Sequence, residues 1–465
     1  MSNPLAVLVD DDKQQLVEVS STIVDAGYEL ITFESLEEAL NFLDSADALI
    51  DLFVLDRKLP MRIGEKAVDE LGDELFRTVT VSHPDARVIV FSGFTDFDHA
   101  QESMEGTGFV FDDGAVRINR VSVVRKSQFD KFERFIRELR ELITRFEMIE
   151  FSVDGALEDH QKRVLRRIAY HYGASSISAR PLSGGLSDAA VWRCEVASPS
   201  GPIAAVVAKV SESVPAAGGL QDLLPRDCIA RRVEVIRGLM GGSIVSILQL
   251  AGTSTASLMS LIASNDLEAA RVVQSLRIGL DALERSQARS IPLRELVEQI
   301  LHWDVFAREL LAIGLSTPSP DLWVTTSTVM SHTDLHAANV LVCDGSPVLI
   351  DSDENKFSSA LRDPAVLLMS SWVHPDSPFR SDWPTVQGIS EHFGEPSFAQ
   401  GSLSPAWCAS VLAWMKERRA STREYWAVVL AYGARQLRFE NVRSSEDLTA
   451  KVVALVVLAH TRLLD

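Results

Sequence analysis

Four apolar runs near the N-terminus each deliver a chemically capable side chain. LAVLV runs into Asp10, Asp11 and Asp12, LFVL into Asp56, VIVF into Ser92, and VSVV, after one arginine, into Lys126. Clustered carboxylates repel one another, and a Mg²⁺ ion with oxygen ligands relieves that repulsion. An aspartate held beside such an ion can attack a phosphoryl group and form an acyl phosphate. A serine hydroxyl and a lysine ammonium can then bind the new phosphate oxygens. Any one of these residues alone is ordinary, since an acidic triplet commonly serves as a solvated loop or a helix N-cap. The ordered set, each member at a strand end, is the signal.

A second set lies in SHTDLHAANVLV, residues 331–342, and VLIDSDE, residues 348–354. Asp334 can accept a hydroxyl proton or position an acceptor, Asn339 can reach a metal ion, and Asp351 can hold Mg²⁺ that bridges phosphates. Phosphoryl transfer needs such parts because its catalysis is mostly positioning and charge neutralisation. Lys209 in AVVAKV suits the α- and β-phosphates of ATP, and the turn SGGLSD, with Ser183, Gly184 and Gly185, offers backbone N–H groups to them. His332 and His336 are four residues apart, but no third ligand has the spacing of a zinc site. His332 reads instead as a residue that orients the loop by hydrogen bonding.

These side chains require particular elements beneath them. Up to residue 127, buried-strand runs alternate with helical patterns such as QQLVEVSSTIVDAG and SLEEALNFLDSA, which predicts a parallel sheet with right-handed crossovers. Its C-terminal strand ends share one edge, where such folds place their sites. An added hairpin is expected around Asp112-Asp113-Gly114. Residues 128–175 read as a helical linker. In its first helix Phe129, Phe132, Phe135, Ile136, Leu139, Leu142, Ile143 and Phe146 form an apolar stripe that suits either packing on its own domain or a homodimer. Residues 176–250 then read as a small sheet-rich lobe and 251–465 as a helical lobe. RDCIARRVEVIRGLM, residues 226–240, is expected to be a helix within the first of these. VVALVVLA, residues 452–459, is too short to span a bilayer and reads as part of a buried terminal helix.

The first 127 residues resemble the receiver domains of two-component response regulators. The resemblance implies a flavodoxin-like α/β fold with Asp56 as phosphoacceptor, Asp10 and Asp11 as the acidic pocket, Asp11 and Asp56 as metal ligands, and Ser92 and Lys126 as switch residues. It implies Mg²⁺ and a partner sensor histidine kinase. Ser127 stands where the family usually has proline, Val123 where it often has a switching aromatic, and the stretch between Ser92 and Lys126 is longer than usual. Residues 176–465 resemble the aminoglycoside phosphotransferase and choline kinase branch of the protein-kinase-like fold, an α+β bilobal architecture. HTDLHAANVLV followed by IDSDE carries that likeness, and RDPAVLL, with Asp363, resembles the acidic helix start that follows in the same branch. Asp334 is then the catalytic residue, Asn339 and Asp351 the metal ligands, and Ser183, Gly184, Gly185 and Lys209 the nucleotide site. Kinases hold the strand lysine with a helix glutamate; here the aligned position carries Arg232, with Asp227 and Glu234 as the nearby acids.

The 465 residues suggest about three compact units. Hydrophobic residues make up 46% and charged residues 24%, ample for full cores. With 45 Lys+Arg against 65 Asp+Glu the net charge is −20, which disfavours nucleic acid and anionic membranes as partners. The four scattered cysteines suit a reducing, cytoplasmic setting, and the N-terminus lacks a signal-peptide pattern. Two readings remain: a response regulator whose output is an ATP-dependent phosphotransferase acting on a small-molecule or protein acceptor, or a signalling scaffold whose pseudokinase half binds nucleotide, or merely keeps the fold, and recruits a partner protein. Asp353 and Glu354 read as a solvated loop rather than as the wall of a site for a cationic acceptor.

Overall fold

The computed structural model describes residues 3–45, 48–92, 108–153, 157–181, 191–213, 219–249, 255–352 and 355–465. These form two compact units, one comprising the described residues up to 213 together with 232–248, the other comprising 219–231 and the described residues from 249 onward.

The first unit opens with β1 (Leu5–Val9), α1 (Lys13–Asp25), β2 (Glu29–Phe33), α2 (Leu36–Ser45), β3 (Ile50–Leu55), α3 (Asp69–Ser82) and β4 (Arg87–Ser92). The expected hairpin follows as β5 (Phe109–Asp112) and β6 (Arg117–Asn119), then β7 (Val121–Arg125) and α4 (Phe129–Glu147). Five strands pair in parallel in the order β2-β1-β3-β4-β7. This is the flavodoxin-like order of a receiver fold. All six residues of β3 are buried, as expected of a central parallel strand covered on both faces. Leu8, Val54 and Phe91 point to one side, and Val9, Leu55 and Val90 to the other. The stripe of α4 (Phe132, Ile136, Leu139, Leu142, Ile143 and Phe146) is buried against the first of these faces. Each such side chain contributes roughly 1.5–3 kcal/mol of hydrophobic stabilisation.

A second sheet in the same unit is built from β8 (Glu150–Val153), β9 (Ser176–Pro181), β10 (Val191–Ser198), β11 (Gly201–Ser211), β12 (Arg232–Ile236) and β13 (Ile244–Leu248). Its order is β12-β13-β11-β10-β9-β8, antiparallel except for the β8–β9 pair. α5 (Asp159–His171) packs its Val164, Leu165 and Ile168 into the core on one face. Residues 128–175 thus supply α4 to the first core, and β8 and α5 to the second.

The two sheets share an interface, which is why two compact units appear where length alone suggests three. Phe111 of the hairpin, Phe146 of α4 and Tyr170 of α5 meet with ring centroids 4.8–6.1 Å apart. Arg167 lies over Phe111 at 4.7 Å. Leu239, from the β12–β13 turn, is buried in the core of the first sheet. Asp85 accepts backbone hydrogen bonds from Met240 (2.9 Å) and Gly242 (3.0 Å). Gly238 is required here: its φ is +85°, and a Cβ would sit 2.2 Å from the Val110 carbonyl oxygen. Asp51 and Arg163 add a buried bidentate ion pair.

One expectation is overturned. Residues 226–240 form no helix: Cys228 and Ala230 bond to the backbone of Leu349, and the following residues form β12. Arg-Val-Glu-Val-Ile alternates and is rich in β-branched residues, a pattern that pairs readily with β13 and outweighs the helical spacing seen in a longer window.

The second unit is largely helical. Its short strands include β14 (Thr255–Ser257), β15 (Thr328–Ser331), β16 (Val340–Cys343), β17 (Ser346–Leu349) and β18 (Lys356–Ser359). Its main helices are α6 (Leu258–Ser264), α7 (Asp266–Asp281), α8 (Arg362–Val373), α9 (Pro405–Arg418), α10 (Thr422–Gln436) and α11 (Glu446–Leu464). Every residue of α8 is buried. Trp372, Trp407 and Trp414 are packed in the same core, as are Val452, Leu455 and Val456 of the terminal helix. A small mixed sheet preceding a helical body is the composition of the kinase-like fold. No described helix is long and apolar enough to cross a membrane.

Candidate functional site

The first site lies at the C-terminal edge of the parallel sheet. β1 leads directly into Asp10 and β3 into Asp56, and the Asp56 N–H donates to the Val9 carbonyl (2.8 Å), locking the two strand ends side by side. β7 delivers Lys126. Its Nζ donates to Asp10 Oδ2 at 2.7 Å and to Asp56 Oδ2 at 2.8 Å. Asp10 and Asp56 are buried, whereas Asp11 is exposed. Asp12 is the N-cap of α1, accepting from the N–H groups of Gln14 and Gln15. Ser92 ends β4 in register with Arg125, which sets its backbone one position from that of Lys126.

The electrostatics are those of an anion-crowded pocket. Burial, then the charge of Asp56, raises Asp10 from 3.8 to about 6 against the pull of Lys126. Asp11 is raised for the same two reasons. Burial pulls the Lys126 ammonium down, but Asp56 and Asp10 outweigh it and hold it above its ordinary value. The ligand oxygens of Asp10, Asp11 and Asp56 lie within 4.8 Å of one another. Three carboxylates this close with one ammonium fit a hard divalent cation, which would relieve the remaining repulsion.

The second site is the loop between β15 and β16. Leu335, Ala337 and Ala338 anchor it in the core of the helical unit, while the Asp334 side chain stays 40% exposed. The loop is fixed by its own backbone: His336 N–H donates to the Asp334 carbonyl, and Asn339 N–H to that of His336. Asn339 Nδ2 also donates to the Asp334 carbonyl at 3.0 Å, which leaves its amide oxygen to act as a ligand. Ile350 N–H donates to the Asn339 carbonyl, setting Asp351 beside this turn. His332 orients the loop, its Nε2 lying 2.8 Å from the Ile350 carbonyl oxygen. An amide oxygen and a carboxylate brought near each other by that backbone bond suit magnesium, which takes few protein ligands and shares the rest with phosphates.

Two residues in this site occupy left-handed backbone, Thr333 (φ 72°) and Asp351 (φ 58°). For a β-branched residue this is costly, about 1–3 kcal/mol, and persists only where the surroundings enforce it. Asp363, at the start of α8, enforces it. One carboxylate oxygen accepts from His332 N–H (2.9 Å) and the other from Thr333 N–H (3.0 Å).

Lys209 lies on β11, opposite Val191 and Ser246. Glu234 cannot serve as its partner. It stands opposite Ile247, which stands opposite Ala208, so strand alternation puts Glu234 on the other face of the sheet. There it pairs with His171 at the end of α5, at 2.7 Å. Ser183, Gly184 and Gly185, with the rest of SGGLSD, lie outside the described residues, as do Asp353 and Glu354.

Arg435, which reading of the sequence missed, stands at the end of α10 with Nη1 3.5 Å from Asp334 Oδ1. Nothing in its local sequence marks it, because only the fold returns α10 to a loop so far upstream.

No family model and no curated protein matches the sequence. Solved structures do resemble parts of it. A response regulator receiver domain protein from Clostridium thermocellum is 20% identical and covers 30% of this chain and 97% of its own, with a TM-score of 0.23. A response regulator from Thermotoga maritima, in complex with Mg²⁺ and BeF, is 23% identical over 29% of this chain and 98% of its own, with a TM-score of 0.22. A choline/ethanolamine kinase family protein from Mesorhizobium loti is 14% identical over 62% of this chain and 88% of its own, with a TM-score of 0.30.

Proposed function

We propose that this chain is a response regulator in which phosphorylation of Asp56 by a sensor histidine kinase controls an ATP-dependent phosphotransferase formed by its kinase-like part. The observation that carries the reading is the pairing of two prepared sites in one chain. Lys126 bridges Asp10 and Asp56, and Asp363 holds the Asp334 loop in a strained conformation.

In the receiver, Asp56 is the nucleophile toward a phosphoryl group, and Lys126, already bonded to it, neutralises the oxygens it acquires. In the kinase-like part, Asp334 accepts the proton of a hydroxyl acceptor, while Asn339 and Asp351 would hold Mg²⁺ and Lys209 the nucleotide phosphates. Bound magnesium would neutralise charge on the phosphate oxygens. The shared interface between the two sheets of the first unit offers a route for the signal, because the β12–β13 turn reaches into the receiver core.

The test is calorimetry of ATP binding with and without Mg²⁺, on the wild type beside Asp351→Asn, repeated with a small phosphodonor such as acetyl phosphate. Magnesium-dependent binding that is lost in the variant supports the reading. No binding to the wild type under any of these conditions refutes it.

A second reading, a receiver-controlled scaffold, draws support from Glu234. That carboxylate lies on the face of the sheet opposite Lys209 and pairs with His171 instead. Turnover on any acceptor that disappears in Asp334→Ala would eliminate it.

A further inference from the structure

Two guanidiniums act on Asp334. Arg435 Nη1 is 3.5 Å from its carboxylate. Arg362 is 5% exposed, donates to the Gln299 carbonyl through Nη1, and leaves its buried Nε without a hydrogen-bond partner. Among the described residues, no carboxylate lies within ion-pair distance of it. His336 and His374 stack at 4.7 Å, both buried, with Nδ1 of the first and Nε2 of the second also unpartnered. Asp363 is committed to the loop backbone. Arg435 therefore engages the Asp334 carboxylate, and Arg362 feels the charges of both Asp363 and Asp334. A guanidinium beside this carboxylate can pair instead with an anionic group brought by a ligand.

We propose that the acceptor carries an anionic group, a carboxylate or phosphate, close to the hydroxyl that takes the phosphoryl group. The inference rests on the phosphotransferase reading above. The acceptor's anion competes with Asp334 for Arg435, with Arg362 as the second donor, and so releases Asp334 at the moment a hydroxyl arrives beside it. The hydroxyl oxygen then forms the new bond to the γ-phosphorus of ATP, its proton passes to Asp334, and the bond from γ-phosphorus to the bridging oxygen breaks to leave ADP. Arg435 is in this scheme a specificity residue that also engages Asp334 in the resting state.

The experiment uses the full chain with Mg²⁺ and a non-hydrolysable ATP analogue. Two probes of equal spacing and opposite charge, 3-hydroxypropionate and ethanolamine, are titrated and followed by saturation-transfer NMR. The expected result is a preference of about tenfold or more for 3-hydroxypropionate, the effect of one charge-assisted hydrogen bond. That preference should vanish in Arg435→Gln and survive in part in Arg435→Lys, which keeps the charge and guards against a folding defect. Equal or tighter binding of ethanolamine, no binding of 3-hydroxypropionate, or an unchanged preference in Arg435→Gln overturns the proposal. If the nucleotide analogue binds in the same samples while the anion preference is absent, only the acceptor class is wrong. If the nucleotide does not bind, the phosphotransferase reading fails and this inference falls with it.

Discussion

Replacing Asp363 with alanine should loosen the Asp334 loop without dismantling the helical unit around it. The side chain supplies two hydrogen bonds, to the N–H groups of His332 and Thr333, at 2.9 and 3.0 Å. Both residues are buried. Stranding two buried donors costs about 1–3 kcal/mol each. Against this, Thr333 would be free to leave its left-handed conformation (φ 72°), recovering about 1–3 kcal/mol of strain. The net local cost is about 1–3 kcal/mol. Tenfold per 1.4 kcal/mol converts this to amide exchange faster by roughly 5-fold to 140-fold at these positions. Hydrogen exchange followed by mass spectrometry, on peptides covering residues 331–335, measures it directly. Peptides from α11 should be unaffected, since the terminal helix is packed elsewhere in the core. Asp363→Asn should fall between, because its amide keeps one acceptor oxygen and turns an N–H donor toward the other backbone donor. Exchange at 331–335 within threefold of wild type in Asp363→Ala would refute the idea that this carboxylate holds the loop.

Two further outcomes follow from the first unit. Asp10 has a folded-state value raised from 3.8 to about 6, so its contribution to stability is full below about 3.8 and lost as the pH rises through about 6, by about 3 kcal/mol in all; with metal removed by chelation, urea unfolding of Asp10→Asn should be flatter than wild type across that window, and an identical slope would contradict the assignment. Arg163→Met leaves Asp51 buried without its partner and should cost about 3–5 kcal/mol, most of it restored in the Asp51→Leu/Arg163→Met double variant; a single-variant loss below about 1 kcal/mol by the same measurement would mean the pair is not desolvated.

The receiver pocket was legible because its parts sit at strand ends. β1, β3, β4 and β7 are apolar runs of the length that buried parallel strands require, and Asp10, Asp56, Ser92 and Lys126 stand at or just beyond their ends. The same locality made the 331–342 loop readable, down to the orienting role of His332. β12 was misread because its apolar residues satisfy a helical spacing over a long window and strand alternation over a short one, and the partner that decides between them, β13, follows it only after a turn. Arg435 and Arg362 were invisible for a different reason. Their role depends on which helix ends meet at Asp334, and that is a property of packing among α8, α10 and the loop rather than of any local pattern.

The interface between the two sheets of the first unit bears on how such a chain can be divided. Domain seams normally fall in exposed linkers that few contacts cross. Here a cut near residue 127 would separate Val110 from Gly238, Asp85 from Met240, Asp51 from Arg163 and Leu239 from the core that buries it. The fragment beginning at 128 would also carry the bared stripe of α4 into water. Neither piece is a cassette. Moving either sheet into another protein has to carry the hairpin, the β12–β13 turn and both ion-pair partners with it.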